Sequence, residues 1–392
     1  MKYARITGWG KYLPERVLSN ADLEQMVETS DEWIVSRTGI RERRIAAPGE
    51  TTSDMAVKAG QAALTRAGVD AADLDLIIMA TSSPDHFLPP VSSIVQDRLG
   101  ANRAGAFTLA AGCTGFVYGL SAAHQYIATG TCQKVLVIGA EIISFVTDWS
   151  DRNTCVLFGD GAGAVVLEAA DQPTGPLAYD LGSEGASADA LIVHGLGTAE
   201  PPSHRVLDDG RHYLRMNGRK VFLFATRVMV DSVQEVIRKS GLPWEDVELV
   251  IPHQANLRII EMAARRLGMP MEKVLVNLDR YGNTSAASIP IALAEAADEG
   301  RLKDGDHVVL AGFGAGLTWA STVVHWQPVA PKAEPIAVSD WPMRERLTQP
   351  LNKARIALWN ARVSARAAVE DAVMPLLLPL YTRTVRRRKK ED

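Results

Sequence analysis

The sequence predicts an α/β fold built from two similar halves, and three observations carry that expectation. Short apolar runs rich in β-branched residues alternate with longer segments of helical spacing. The apolar runs are nearly continuous rather than alternating, as strands with helices on both faces require. Two pairs of segments also echo each other in the same order along the chain.

Residues 74–80, 134–139 and 307–311 are the expected buried strands. Helical patterns close on Gly68, Gly130 and Gly268, the residue type that takes a left-handed cap without steric cost. The first echo pairs residues 67–78 with 240–251: a helix ends on glycine, a short acidic connection follows, and a strand begins. The second pairs residues 113–139 with 283–312, each running from small residues through a helix and a glycine into an apolar strand. The halves are placed at 1–172 and 173–327. Four prolines (Pro328, Pro331, Pro335, Pro342) then mark an extended linker at 328–343, followed by a basic helical tail at 344–392.

Of the 392 residues, 47% are hydrophobic and 22% charged, which excludes a disordered chain. Three cysteines are too few for a disulfide framework and lack metal-ligand spacing, so no metal is expected. No signal peptide or membrane-spanning run is visible, and a cytoplasmic protein is expected. The net charge of −4 is unevenly spread: from Asp340 onward 12 Lys and Arg face 6 Asp and Glu, leaving an acidic body. The basic run at 386–390 is read first as a solvated end. The sharper expectation is docking, peripheral to an anionic membrane surface or on an acidic partner. Nucleic acid is not an expected partner, because the body is acidic and its aromatics are not interleaved with the basic run.

Cys113 sits between Gly112 and Thr114-Gly115, just before a helical pattern, where unpaired N–H groups and the helix dipole favour a thiolate. A buried cysteine acting as a small hydrophobe fits the same position. His253 follows the apolar run 249–251, at the strand end where α/β proteins place ligand contacts. Asn283 follows Gly282 and precedes a run of small residues; it suits a helix cap or a tight pocket. Together the three residues admit a cysteine hydrolase, with Asn orienting His. They equally admit acyl transfer with carbon–carbon bond formation, with His and Asn donating to a thioester oxygen.

The whole local sequences resemble the β-ketoacyl-acyl-carrier-protein synthase III family of the thiolase-like superfamily. The matches run from 8–14 through 29–43, 158–164, 252–258 and 281–288 to Thr318-Trp319. The Gly159–Gly163 run is not read as a dinucleotide fingerprint, because it lies between strand-like runs rather than between a strand and a helix.

The resemblance implies a five-layered αβαβα body, a homodimer, and decarboxylative Claisen condensation of an acyl-CoA starter with malonyl-acyl carrier protein in fatty-acid biosynthesis. Cys113 would carry the acyl group, His253 and Asn283 would donate to the enolate, and Phe313 and Gly314 would complete the active site. Trp33, Arg37, Arg152, Gly218 and Asn256 match coenzyme A contacts; Gln254, Ala255, Asn256, Leu257 and Arg258 match carrier-protein contacts. Coenzyme A enters as a substrate thioester, and no cofactor is expected. The alternatives are a starter-unit enzyme of a specialised lipid or polyketide pathway and a non-catalytic synthase-like scaffold. The chain departs from the family pattern at Ala315, where glycine is common, at Leu223, where some members have lysine, in 183–215, and in the extra tail.

Overall fold

The computed structural model describes residues 2–328, and two mixed sheets organise them. The first sheet has the strand order Tyr3–Tyr12, Asp160–Ala170, Lys134–Ile142, Leu76–Ala80 and Gly105–Leu109. Its first two pairings are antiparallel and its last two parallel. The second sheet runs Gly175–Ser183, Thr318–His325, His307–Gly314 and Val247–Pro252, paired antiparallel, antiparallel and parallel. A parallel bridge between Val250 and Val274 stands where the first sheet has its fifth strand. Both sheets thus repeat one chain order and one set of directions. All strands of the first lie within 3–170 and all of the second within 175–325. The expected linker beyond Pro328 and the basic tail lie outside the described residues.

The layers follow from which faces are apolar. Helix Gly115–Ala128 buries Phe116, Val117, Leu120, Ala123 and Ile127, and helix Ser288–Asp298 buries Ile289, Ala292, Leu293 and Ala296. Both share one core with Ile78 and Val135 of the first sheet and with Ile251 and Leu310 of the second, which makes them the central layer. Helices Thr52–Ala67 and Val91–Leu99 cover the outer face of the first sheet. Helices Gly218–Ser240 and Leu257–Leu267 cover that of the second. The result is the αβαβα stack. Strands buried on both sides have no polar face to alternate with, which explains their continuous apolar runs.

The Gly159–Gly163 run differs from its expected setting. From Asp160 it is the leading end of a strand that pairs on both sides, with no helix following. Its glycines answer to packing: a Cβ on Gly163 would lie 2.6 Å from the Ile291 backbone nitrogen, so the central helix rests directly on the strand.

Candidate active site

The two central helices begin in matching turns. In the first half a 3₁₀ turn, Gly112–Thr114, leads into Gly115–Ala128; in the second, Ser285–Ala287 leads into Ser288–Asp298. The first residue of each turn is left-handed, with φ of 55° at Gly112 and 51° at Ser285. Cys113 is therefore the counterpart of Ala286. Glycine takes this conformation freely, whereas a serine there costs about 1–3 kcal/mol.

Cys113 is buried, and the second half closes over it. A Cβ on Gly314 would come 2.5 Å from the Cys113 nitrogen, so position 314 has no room for a side chain. Against the burial of its thiol, the Ser285 hydroxyl and the backbone N–H groups of Cys113 and Ala315 pull the Cys113 pKa downward, toward thiolate. Ala315 is not among the residues with positive φ, so the departure from glycine carries no backbone strain. The expectation of a thiolate at rest is corrected: burial pushes the thiol up to about 11, outweighing the helix terminus, with the Glu141 carboxylate adding to the shift.

His253 follows strand Val247–Pro252, its backbone N–H donating to the Ala311 carbonyl at 2.8 Å. Its ring meets Phe313 edge-on, centroids 5.4 Å apart, and Nδ1 lies 2.6 Å from the Ser288 hydroxyl. Burial pulls its pKa down to about 3, which keeps the imidazole neutral at ordinary pH. Asn283 is fixed at both ends of its peptide: its N–H donates to the Leu157 carbonyl and its carbonyl accepts from the Gly159 N–H. Its side-chain carbonyl accepts from the Ser285 N–H at 2.8 Å, leaving the amide NH₂ as its free donor. Asn283 thus bonds two residues ahead into the start of the 3₁₀ turn, whose cap position is Thr284, and does not cap a regular helix.

Cys113, His253, Asn283, Phe313 and Gly314 line one cavity of about 650 Å³, which also reaches Trp33, Arg37, Gly218, Asn256 and Arg258. Trp33 lies on helix Asp31–Thr38, with the Arg152 guanidinium 5.1 Å from its ring centroid and that of Arg37 5.6 Å away. A flat ring between Trp33 and Arg152 needs about 7 Å, two van der Waals contacts, so the pair is brought together with its slot closed. Asn256 caps helix Leu257–Leu267 through the Arg258 N–H and donates its amide to the Arg37 carbonyl at 3.0 Å. Its side chain therefore ties two cavity walls together. The poorly matching stretch supplies part of the mouth, with Leu191 and Met216 on a two-stranded ribbon.

One expected contact is corrected. Gln254 is buried, its amide donating to the carbonyls of Pro252 and Leu275 and its oxygen accepting from the Asn277 N–H. It is an internal brace and no carrier-protein contact. Ala255, Asn256 and Leu257 are half-buried and Arg258 is exposed. Sequence reasoning missed Glu141, Ser285 and Ser288. A lone carboxylate ending the apolar run at 134–140 was the available signal for Glu141.

The family profile described as 3-oxoacyl-[acyl-carrier-protein (ACP)] synthase III matches residues 107–185, and its C-terminal counterpart matches 237–326. The chain is 56% identical over 324 residues to the β-ketoacyl-[acyl-carrier-protein] synthase III of Roseiflexus sp. (strain RS-1), covering 83% of this chain and 98% of that protein. The solved 3-oxoacyl-[acyl-carrier-protein] synthase III of Aquifex aeolicus VF5 superposes with a TM-score of 0.77 at 46% identity, covering 82% of this chain and 100% of that one. The priming β-ketosynthase of the R1128 polyketide biosynthetic pathway gives a TM-score of 0.78 at 37% identity, covering 84% and 98%. With matching turns holding Cys113 against the His253 and Asn283 half, and with these relatives spanning nearly their full length, the chain belongs to the β-ketoacyl-[acyl-carrier-protein] synthase III family.

Proposed function

We propose that the chain condenses an acyl-CoA starter with malonyl-acyl carrier protein in fatty-acid biosynthesis, through an acyl-Cys113 thioester. The observation that carries the reading is the shared cavity, lined by Cys113, His253 and Asn283 together with Trp33 and Arg37. In the first half-reaction the Cys113 thiolate attacks the thioester carbonyl. The N–H groups of Cys113 and Ala315 are the donors available to the tetrahedral oxyanion. In the second, decarboxylation generates the enolate, so the site needs donors rather than a strong base. A neutral His253 suits that demand when the Ser288 hydroxyl donates to Nδ1, because Nε2–H then faces the cavity. The free amide of Asn283 supplies the second donor.

Trp33, Arg37, Arg152 and Gly218 are assigned to coenzyme A, with Arg152 moving off Trp33 to admit the adenine. Arg258 is assigned to the acidic carrier protein. Lys220 and Arg227 near it are already paired with Asp189 and Glu184. A second copy would cover the exposed Phe87, Leu88 and Phe145, in keeping with a homodimer. Among the described residues no helix is long and apolar enough to cross a membrane. Incubation with acyl-CoAs from acetyl to dodecanoyl, followed by intact-protein mass measurement, tests the reading. A stable acyl adduct on Cys113 that malonyl carrier protein discharges supports it. Rapid release of free acid supports a hydrolase, and no adduct supports a scaffold.

A further inference from the structure

Glu295 is buried on the central helix Ser288–Asp298, about two turns beyond the Ser288 hydroxyl that meets His253. Oε1 accepts from the Tyr281 hydroxyl and from Lys11 Nζ, each at 2.8 Å. Oε2 accepts from the Asn277 amide at 2.8 Å, and the Arg280 guanidinium reaches Oε1 at 3.2 Å and Oε2 at 3.0 Å. Burial pushes its pKa up, but the hydrogen bonds and the Lys11 charge outweigh that and hold it down to about 2. Glu295 is therefore an anion at any working pH with no proton to exchange, and it lies outside the cavity lining.

Its bonds lead to both donors of the proposed second half-reaction. Asn277 precedes the short helical turn Leu278–Tyr281 and Tyr281 ends it, so the carboxylate grips that segment at both ends. From the first end, the Asn277 N–H donates to the Gln254 oxygen at 2.9 Å. The Gln254 amide in turn donates to the Pro252 carbonyl at 2.7 Å, and these two residues flank His253. From the second end, only Gly282 separates Tyr281 from Asn283. A Cβ on Gly282 would come 2.8 Å from the Leu157 carbonyl oxygen, the acceptor of the Asn283 N–H, so this link has little room to flex. Lys11 and Arg280, both partly exposed, already supply cations for the anion. Asn277 and Tyr281 are not needed to neutralise it; what they add is direction.

We propose that Glu295 is a positioning residue for the condensation step, fixing His253 and Asn283 at the spacing that lets both donate to one enolate oxygen. The central helix holds His253 from Ser288 and steadies both donor loops from Glu295, so the two donors are referred to one element. Donors set in place before the charge develops need no reorganisation when it appears. Cys113 sits on the turn of the other half, outside this chain of bonds, so the first half-reaction does not depend on it.

The proposal rests on the reading of the chain as a condensing enzyme, and its test separates the two. Glu295→Gln keeps the shape, removes the charge and puts an NH₂ where an oxygen accepted. The variant should take up the acyl mass from acyl-CoA within about twofold of the wild-type rate, while malonyl carrier protein discharges the adduct about tenfold more slowly. The loss should fall in kcat and not in KM for the carrier protein. Tyr281→Phe leaves every charge in place and guards against a misfolded Glu295 variant. Its discharge should slow about fivefold, within what one hydrogen bond to a charged group commands, with self-acylation unchanged. A carboxylate that only stabilises the fold predicts equal losses in both half-reactions. That result in either variant, or a Tyr281→Phe enzyme that discharges at the wild-type rate, overturns the proposal. Wild-type enzyme that never self-acylates would overturn the condensing reading instead. The imidazole resonances of His253 and the side-chain amide resonances of Asn283, followed in selectively labelled enzyme, then decide the positioning role: a shift of both in Glu295→Gln supports it, and unchanged resonances overturn it.

Discussion

The two halves share one strand order and one turn geometry, yet they present different chemistry at the same place. The first half puts Cys113 on its turn, and the second puts Ala286 there and holds Asn283 three residues earlier. Each turn also faces the other half. Gly314 presses on the Cys113 nitrogen, and Ser285 bonds back to Glu141 of the first sheet. The halves therefore offer one frame with two equivalent positions, and the proposed chemistry lies in what distinguishes them: Cys113 as nucleophile on one side, with His253 and Asn283 as hydrogen-bond donors on the other.

The largest test of this division is Cys113→Ser. A serine with its much higher pKa stays protonated in the same buried setting, so self-acylation should fall by more than a thousandfold, read by protein mass after incubation with acyl-CoA. Self-acylation within tenfold of wild type would move the nucleophile elsewhere. Next comes the contact that joins the layers. Gly163→Ala places a methyl 2.6 Å from the Ile291 nitrogen, and chemical denaturation should show a loss of about 1–3 kcal/mol from overpacking. Unchanged stability would mean that the central helix yields easily.

A smaller effect is expected at the outer end of the cavity. Trp33→Ala should raise KM for acyl-CoA about tenfold with kcat nearly unchanged, because adenine is held equally in ground and transition states. A loss in kcat instead would tie Trp33 to the chemistry. The smallest is an absence of change. Because His253 is held near 3, its ring resonances should stay constant from pH 8 down to about 4.5. The stability contributed by a neutral His253 is complete above about pH 6.5, the usual histidine value, and is lost as pH falls toward 3. A titration midpoint near 6.5 would remove the argument for a neutral donor.

Much of this was legible in the residues, for physical reasons that differ by site. The strands at 134–139 and 307–311 were readable because burial on both faces leaves a continuous apolar run. The equivalence of the halves was readable because the same turn needs small residues each time. The thiol's protonation was not readable: a helix N-terminus is visible in sequence, whereas desolvation depends on Gly314 and Ala315 arriving from 200 residues away. Gln254 failed for the same reason, since only the folded chain shows Leu275 and Asn277 surrounding its amide. Glu141 and Ser285 lie far apart in sequence and acquire meaning only through their contact.

The most direct measurement is the fate of acyl-Cys113 in Asn283→Ala. The variant should acquire the acyl mass from acyl-CoA at a rate close to that of wild type, because the nucleophile and its nearby N–H groups lie elsewhere. After malonyl carrier protein is added, the adduct should persist about a hundredfold longer, the usual cost of one lost donor to a developing oxyanion. Discharge of the adduct at the wild-type rate would contradict the division of labour between the halves.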